Sequence, residues 1–337
     1  MKYYYNKEKR ERTLSGWPVM LLTFSICLLC WVVGYFFSFG FPVTTENAVF
    51  PFWETFCKWL DNRVMAYFFG LLCMFLIAYI IQRISDIEML IRERTRLIFI
   101  FFVILTSTNM DIQPYKEVTI VLLCLVFMIY ELFNTYQLPD ATGKLFNAGV
   151  LIGVAGFFMP QSLCFLPLLW VGMYQLQSLS YRSFLSSLIG VLTISWFVFA
   201  WCVWKDDFSM FTSFFSSLID FNFFSVFSTL WYYQIGFVGI VLLMIVTFFY
   251  MKRDAINNRV RVRQMLSFLL NMSIWSLVLI CIYGANAQSF VAVFYLPVSV
   301  LIAYFFENMR YRYSFLIYFF MLTLSTSSFI IRVWNFL

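Results

Sequence analysis

The chain has 337 residues, of which 62% are hydrophobic and only 12% are charged, and its formal net charge is +6. Soluble domains carry about 25% charged residues, so this chain cannot cover an apolar interior with polar surface, and much of its surface must face lipid. It contains no histidine, the commonest general base and metal ligand, which argues against a serine hydrolase, a histidine-ligated haem protein and a histidine-based metalloenzyme.

Residues 1–16 are polar and basic and predict a cytoplasmic N-terminal segment. The apolar run that follows is long enough to cross a bilayer, which takes about 20 helical residues because each rises about 1.5 Å through a hydrocarbon core of about 30 Å. No small-x-small cleavage site follows this run, so we expect it to remain in the membrane as a signal anchor. Cys27 and Cys30 lie within it and are predicted to pack as small apolar side chains rather than to form a redox pair.

Eleven apolar segments predict eleven transmembrane helices, so the expected fold class is an all-α integral membrane protein. In chain order they cover about residues 17–38, 64–82, 97–108, 118–136, 145–159, 163–177, 184–204, 230–251, 265–283, 290–306 and 314–334. The fifth and sixth are short, and a re-entrant hairpin there would reduce the count to nine. We treat residues 17–337 as a single polytopic membrane domain, with outer-side interfacial segments at 40–63 and 205–229.

The positions of the positive charges predict the orientation. If the spans alternate from a cytoplasmic N-terminus, the cytoplasmic side receives all but five of the 23 lysines and arginines, as the positive-inside rule requires. One missed span would invert every later loop and destroy this bias. The sequence therefore predicts a multi-pass membrane protein with its N-terminus in the cytoplasm and its C-terminus outside. Since sidedness accounts for the basic residues, no nucleic-acid partner is expected.

Acidic residues on the predicted outer side are the candidates for chemistry. Glu46 follows the first span and is the candidate catalytic base, and Asp111 follows the third span and is the candidate for assisting at an acceptor or a cation. Each of them could equally be a water-facing residue of a connecting loop. Asp206 and Asp207 form an adjacent pair that leaves metal binding open. No cofactor is expected.

Two outer segments have the composition of chain lying on a membrane surface. Residues 51–62 place apolar and charged side chains on different faces of a predicted short interfacial helix, and residues 208–227 alternate aromatic residues with serines. Each is either a passive connector or a contact surface for a lipid-linked substrate. Within the fourth span, Glu131 is an intramembrane acid for which a structural and a functional role are both open.

The part of the chain from about residue 114 to residue 204 resembles an uncharacterised family of polytopic inner-membrane proteins from Bacteroidota. The shared features are the glycine-rich helix from Gly149 to Gly156, the run Leu166–Trp170, and Tyr181 followed by Arg182 at a cytoplasmic turn. Ser195 departs from the family pattern, which has proline there. This resemblance implies a location in the cell inner membrane but no activity.

The order of the spans is also similar to the GT-C class of lipid-linked-sugar glycosyltransferases. The corresponding features are Glu46 in the first outer loop, Pro114 in an outer turn before the fourth span, and the glycines Gly149, Gly153 and Gly156 after a basic inner loop. The class has a paired acidic motif just after the first span, where this chain has Glu46 alone. The resemblance implies a polyprenyl-linked substrate handled at the outer face.

Three functions are therefore compatible with the sequence. The first is a GT-C-like enzyme, or a degenerate relative, acting on a polyprenyl-linked sugar among the membrane lipids. The second is a transporter or flippase, placed lower because neither an internal repeat nor a midplane charge is visible. The third is a non-catalytic scaffold that binds proteins of a cell-envelope complex, which the scarcity of midplane polar residues favours.

Overall fold

The computed structural model describes residues 17–37, 62–91, 96–138, 140–206, 208–222, 231–254, 259–308 and 311–336. Three features predicted from the sequence lie outside these residues: the basic N-terminal segment, Glu46, and nearly all of the interfacial helix at 51–62.

The described residues form twelve α-helices and no β-strand. The helices are α1 (Trp17–Phe37), α2 (Arg63–Glu88), α3 (Leu97–Ser107), α4 (Glu117–Phe133), α5 (Thr142–Phe158), α6 (Leu166–Gln175), α7 (Tyr181–Lys205), α8 (Ser209–Ile219), α9 (Trp231–Asp254), α10 (Val260–Ile282), α11 (Ala287–Asn308) and α12 (Tyr311–Phe336). Short 3₁₀ helices, Pro160–Phe165 and Gly284–Asn286, precede α6 and α11. Each of the eleven predicted spans coincides with one helix, and α8 lies in the predicted interfacial segment 205–229.

Six of the helices in the described part of the chain are long and apolar enough to cross a membrane: α1, α2, α7, α9, α10 and α11. The prediction of an all-α membrane protein is therefore confirmed. The count of eleven crossings and the orientation of the termini stay predictions.

Helix α11 is the centre of the bundle. It is buried without interruption from Phe290 to Phe306 and packs against α3, α4, α9 and α10. Helix α3 is buried almost as completely, and its Phe101 ring lies 4.8 Å from the Phe306 ring, centroid to centroid. Helices that are apolar on all sides are expected in such positions. The peripheral α1, α7 and α9 instead keep broad apolar faces exposed, as lipid contact requires.

Two of the predicted spans form helices too short to cross a hydrocarbon core of about 30 Å, since the eleven residues of α3 and the ten of α6 extend only about 15–17 Å. Irregular backbone at membrane depth is tolerated where protein covers it. The segment after α3 meets that condition, because the buried Gln113 amide donates to the carbonyls of Ser107 (2.7 Å) and Cys30 (3.2 Å). The Tyr115 N–H donates to the Ala66 carbonyl at 3.0 Å. In this segment, hydrogen bonds from Gln113 and Tyr115 thus take the place of those that a continuous helix would form.

Glycines bring α5 and α7 into backbone contact. A Cβ at Gly149 would lie 2.1 Å from the carbonyl oxygen of Ser187, and one at Gly190 would lie 2.4 Å from that of Phe146. A Cβ at Gly153 of α5 would lie 3.0 Å from the side chain of Ile194 on α7. Gly149 and Gly153 therefore permit close packing of α5 against α7.

Contacts between residues far apart in the chain join helix ends that the sequence assigns to the same side. Arg261 forms an ion pair with the buried Glu88 and lies over the Tyr136 ring at 5.5 Å, and Lys144 donates to the Asn134 carbonyl at 2.8 Å. We call this the basic end: it contains the ends of α2, α4, α6, α9 and α11 and the starts of α5, α7, α10 and α12. The other end of the bundle, which includes Asp111, is called the opposite end. The sequence predicts that the basic end faces the cytoplasm.

Candidate functional site

A half-open cavity of about 580 Å³ lies at the basic end between α6, α9 and α10. Ligand sites in proteins commonly enclose about 300–1,000 Å³, so the volume suits a small molecule or a lipid head group. The polar lining consists of Tyr174, Gln175, Gln177, Lys252, Arg263, Gln264, Ser267 and Asn271. The apolar lining consists of Phe248, Met251 and Leu270.

The cavity reaches well into the bundle. Asn271 lies six residues after Met265, where the predicted ninth span begins, which corresponds to about 9 Å along the helix axis, or about a third of the hydrocarbon core. Arg263 and Lys252 lie near the basic end, whereas Phe248 and Leu270 line the deeper part. The cavity is therefore cationic at its mouth and mixed polar and apolar at depth.

Among the side chains that the structure describes, no carboxylate lines the cavity or lies within ion-pair distance of either cation. The Lys252 ammonium lies 5.6 Å from the centroid of the Phe248 ring. Arg261, two residues before Arg263, differs because it is neutralised by Glu88. None of the described side chains balances these two positive charges, which favours an anionic ligand.

Two amide groups in the cavity wall also have unused hydrogen-bonding capacity. The side-chain oxygens of Gln175 and Gln264 are buried and accept no hydrogen bond from the described residues. A buried acceptor without a donor costs about 1–3 kcal/mol. Once its side chain turns toward the cavity, either oxygen can accept a hydrogen bond from an N–H or O–H group of a ligand.

The lining suits binding better than catalysis. Without a carboxylate, histidine or cysteine among these side chains, general acid–base chemistry would depend on Tyr174 and Lys252 alone. The candidates predicted from the sequence were acids, on the predicted outer side and at Glu131 within the fourth span, and none of them lines this cavity among the described residues. A usable signal was present, because Gln264, Ser267 and Asn271 recur at helical spacing on one face of an otherwise apolar span.

At the opposite end, Asp111 belongs to a partly buried polar cluster. Its carboxylate lies 3.2 Å from the guanidinium of Arg332 on α12, and that guanidinium also donates to the side-chain oxygen of Asn109. A cavity of about 60 Å³ adjoins the cluster, and Asn109, Gln288, Tyr295 and Arg332 line it. This volume accommodates a few water molecules but not a sugar.

Asp206 and Glu131, two further acids named from the sequence, line neither cavity. Asp206 ends α7 in the left-handed conformation with φ 50°, and Asp220 is exposed at the end of α8. Glu131 is half-buried and accepts a 3.4 Å hydrogen bond from Asn147. Asp207 lies outside the described residues. Among the residues that the structure describes, no three His, Cys, Asp or Glu side chains form a group that could hold a metal ion.

Helix α8, from the predicted interfacial segment, is held against the bundle through its backbone. Gln161 donates to the Ser217 carbonyl at 2.9 Å, and the Tyr283 hydroxyl donates to the Leu218 carbonyl at 2.8 Å. Phe215 and Ile219 of α8 are exposed. The helix therefore presents an apolar surface at the opposite end while remaining fixed to α10 and to the 3₁₀ turn before α6.

Comparison of the chain with protein-family models, with curated proteins and with solved structures found no match in any of the three. The resemblances to the Bacteroidota membrane family and to the GT-C class therefore stay predictions.

Proposed function

We propose that this chain is a multi-pass protein of the cell inner membrane that takes up an amphiphile from the cytoplasmic leaflet and carries its head group into the bundle, as a lipid transporter or flippase does. The proposal includes eleven crossings with the N-terminus inside and the C-terminus outside. The observation that carries it is the basic-end cavity, which is cationic at its mouth and extends along α10 about a third of the way into the predicted span.

The short helices support this proposal. Discontinuous helices with irregular backbone inside the membrane are typical of transporter binding sites, and α6, one of the two short helices, forms a wall of the cavity. Ser267 and Asn271 supply polar groups at depth without a midplane charge. The absence of such a charge, which placed transport below sugar transfer in the sequence analysis, therefore does not exclude it.

Blocking the cavity tests the proposal. The Ser267→Trp variant places an indole in the cavity, and we expect it to reduce lipid movement to the protein-free background. The measurement is the rate at which fluorescently labelled phosphatidylglycerol becomes accessible to a membrane-impermeant quencher in vesicles containing the purified protein.

The matched control is Ile274→Trp, which adds the same indole to an exposed position on the same helix. This variant should move lipid at the wild-type rate. If the wild-type protein moves no lipid, or if both variants move it at the wild-type rate, the transport proposal is wrong and the scaffold hypothesis is favoured.

A second candidate function is GT-C-like transfer of a polyprenyl-linked sugar at the outer face, with Glu46 as the base. The observation in its favour is the polar cluster of Asp111, Asn109 and Arg332 beside a small cavity at the opposite end. Because Arg332 balances the charge of Asp111, this carboxylate is better suited to holding the cluster together than to accepting a proton.

The Glu46→Gln variant tests the transfer hypothesis. It removes the proposed base while keeping the shape of the side chain, and the transfer hypothesis predicts loss of a surface glycan from cells that depend on this protein. Glu54→Gln, a change at another acid of the same outer segment, is the control and should leave the glycans intact. Unchanged glycans and normal growth with Glu46→Gln would remove this residue from the mechanism.

A further inference from the structure

We infer, on the basis of the proposed function, that the ligand of the basic-end cavity is a lipid whose phosphate carries a hydroxylated substituent. Phosphatidylglycerol and lipid-linked sugar phosphates both belong to this chemical class. Arg263 and Lys252 bind the phosphate, the amide oxygens of Gln175 and Gln264 accept hydrogen bonds from the hydroxyl groups, and the acyl or prenyl chain lies against apolar wall residues such as Leu270.

The two cations select a phosphate. Basic pockets between transmembrane helices on the cytoplasmic side bind anionic lipid head groups, and a guanidinium can donate two parallel hydrogen bonds to phosphate oxygens. Arg263 and Lys252 are exposed at the cavity mouth and have no carboxylate partner among the described residues. A zwitterionic head group would place a second cation beside them and would bind less well.

The two amides select hydroxyl groups. An ionised phosphate presents acceptor oxygens and therefore leaves the buried side-chain oxygens of Gln175 and Gln264 without donors. The hydroxyls of a glycerol or sugar substituent supply those donors next to the phosphate. A lipid with a bare phosphate head, such as phosphatidic acid, satisfies the cations but not the amides.

The surroundings of the cavity select a lipid over a free phosphate ester. Phe248, Met251 and Leu270 give the wall a continuous apolar part. Outside the cavity, Val171 on α6 and Phe249 on α9 are large apolar side chains that remain exposed, as at a lipid-facing surface. A hydrocarbon chain can therefore follow its head group into the gap between these helices without crossing a polar barrier.

The test measures lipid binding to the intact protein in detergent through the increase in its thermal stability. The probes are phosphatidylglycerol, phosphatidic acid, phosphatidylcholine, glycerol 1-phosphate and inorganic phosphate. We expect phosphatidylglycerol to bind most tightly, phosphatidic acid less tightly and phosphatidylcholine least, with no effect of the two water-soluble probes. Equal binding of phosphatidylglycerol and phosphatidylcholine would overturn the inference, and full competition by glycerol 1-phosphate would show that the ligand is a soluble ester.

Matched variants assign the contacts. Arg263→Gln should weaken phosphatidylglycerol binding about fivefold, as expected for one cation at a membrane surface. Arg259→Gln removes an exposed cation from the start of the same helix that does not line the cavity, and should have no effect. Gln264→Leu should lower the affinity for phosphatidylglycerol to that for phosphatidic acid and leave the latter unchanged. Equal effects of the two arginine changes would contradict the assignment.

Failure of this inference is distinguishable from failure of the proposed function. If the protein moves labelled lipids and Ser267→Trp stops the movement, but the head group makes no difference to binding, only the ligand class is wrong. If phosphatidylglycerol binds as expected through Arg263 and Gln264, but the protein moves no lipid, the cavity is a lipid-binding site and the transport function is wrong.

Discussion

Replacing Gly149 with alanine is expected to separate α5 from α7 and to destabilise the protein by about 3 kcal/mol, the upper part of the range for overpacking a close-packed interior. The new Cβ would lie 2.1 Å from the carbonyl oxygen of Ser187. A flexible side chain could rotate away, but this atom belongs to the backbone of the facing helix. Relief therefore requires α5 and α7 to move apart along their whole contact.

The control is Gly143→Ala in the first turn of the same helix, where a Cβ would meet nothing within 4 Å. Alanine is favoured over glycine in a helix by about 0.5–1 kcal/mol, so this variant should be as stable as the wild type or slightly more so. Stability is measured as the temperature at which half of the detergent-solubilised protein leaves the monodisperse peak in size-exclusion chromatography. Equal temperatures for the two variants would contradict the backbone contact.

The helices were predictable because hydrophobic length is a local property of the chain. The predicted segment 230–251, for example, coincides with Trp231–Asp254. Helix ends were less predictable, because contacts with distant residues extend the helices beyond their apolar parts. The second predicted span ends at residue 82, whereas α2 continues to Glu88, whose buried carboxylate is neutralised by Arg261 far along the chain.

Capping explains a second difference. The seventh predicted span begins at residue 184, but α7 begins at Tyr181. The Ser180 side chain accepts a 3.1 Å hydrogen bond from the Ser183 N–H and so satisfies a backbone donor of the first turn. A hydropathy profile does not detect this polar first turn. The error therefore concerns the boundary and not the existence of the helix.

The candidate site was not predictable, because it depends on which faces of three helices meet. Gln175 ends α6, and Gln264 lies near the start of α10, so their proximity becomes visible only in the bundle. The polar face formed by Gln264, Ser267 and Asn271 could be detected in the sequence. It predicts that one side of α10 avoids lipid, but it does not distinguish a cavity from a helix–helix contact.

The Asp111→Asn variant should be less stable than the wild type by about 3 kcal/mol, as expected when one partner of a buried ion pair is removed. The Arg332 side chain is only 11% exposed and the Asp111 side chain 25% exposed, so water replaces little of the lost interaction. Asp220→Asn neutralises an exposed acid that the sequence assigns to the same side, and it should change the stability by no more than about 0.5 kcal/mol.

A double-mutant cycle separates the ion pair from the effects of each single substitution. Arg332→Gln should also destabilise the protein. The double variant with Asp111→Asn should lose less stability than the sum of the two single losses, because it leaves no unbalanced buried charge. Strict additivity, or an Asp111→Asn variant as stable as Asp220→Asn, would show that the pair does not hold α12 to the segment after α3. A variant with less folded protein loses activity whether or not the carboxylate takes part in chemistry. The same cycle therefore determines how any loss of activity in Asp111→Asn is interpreted.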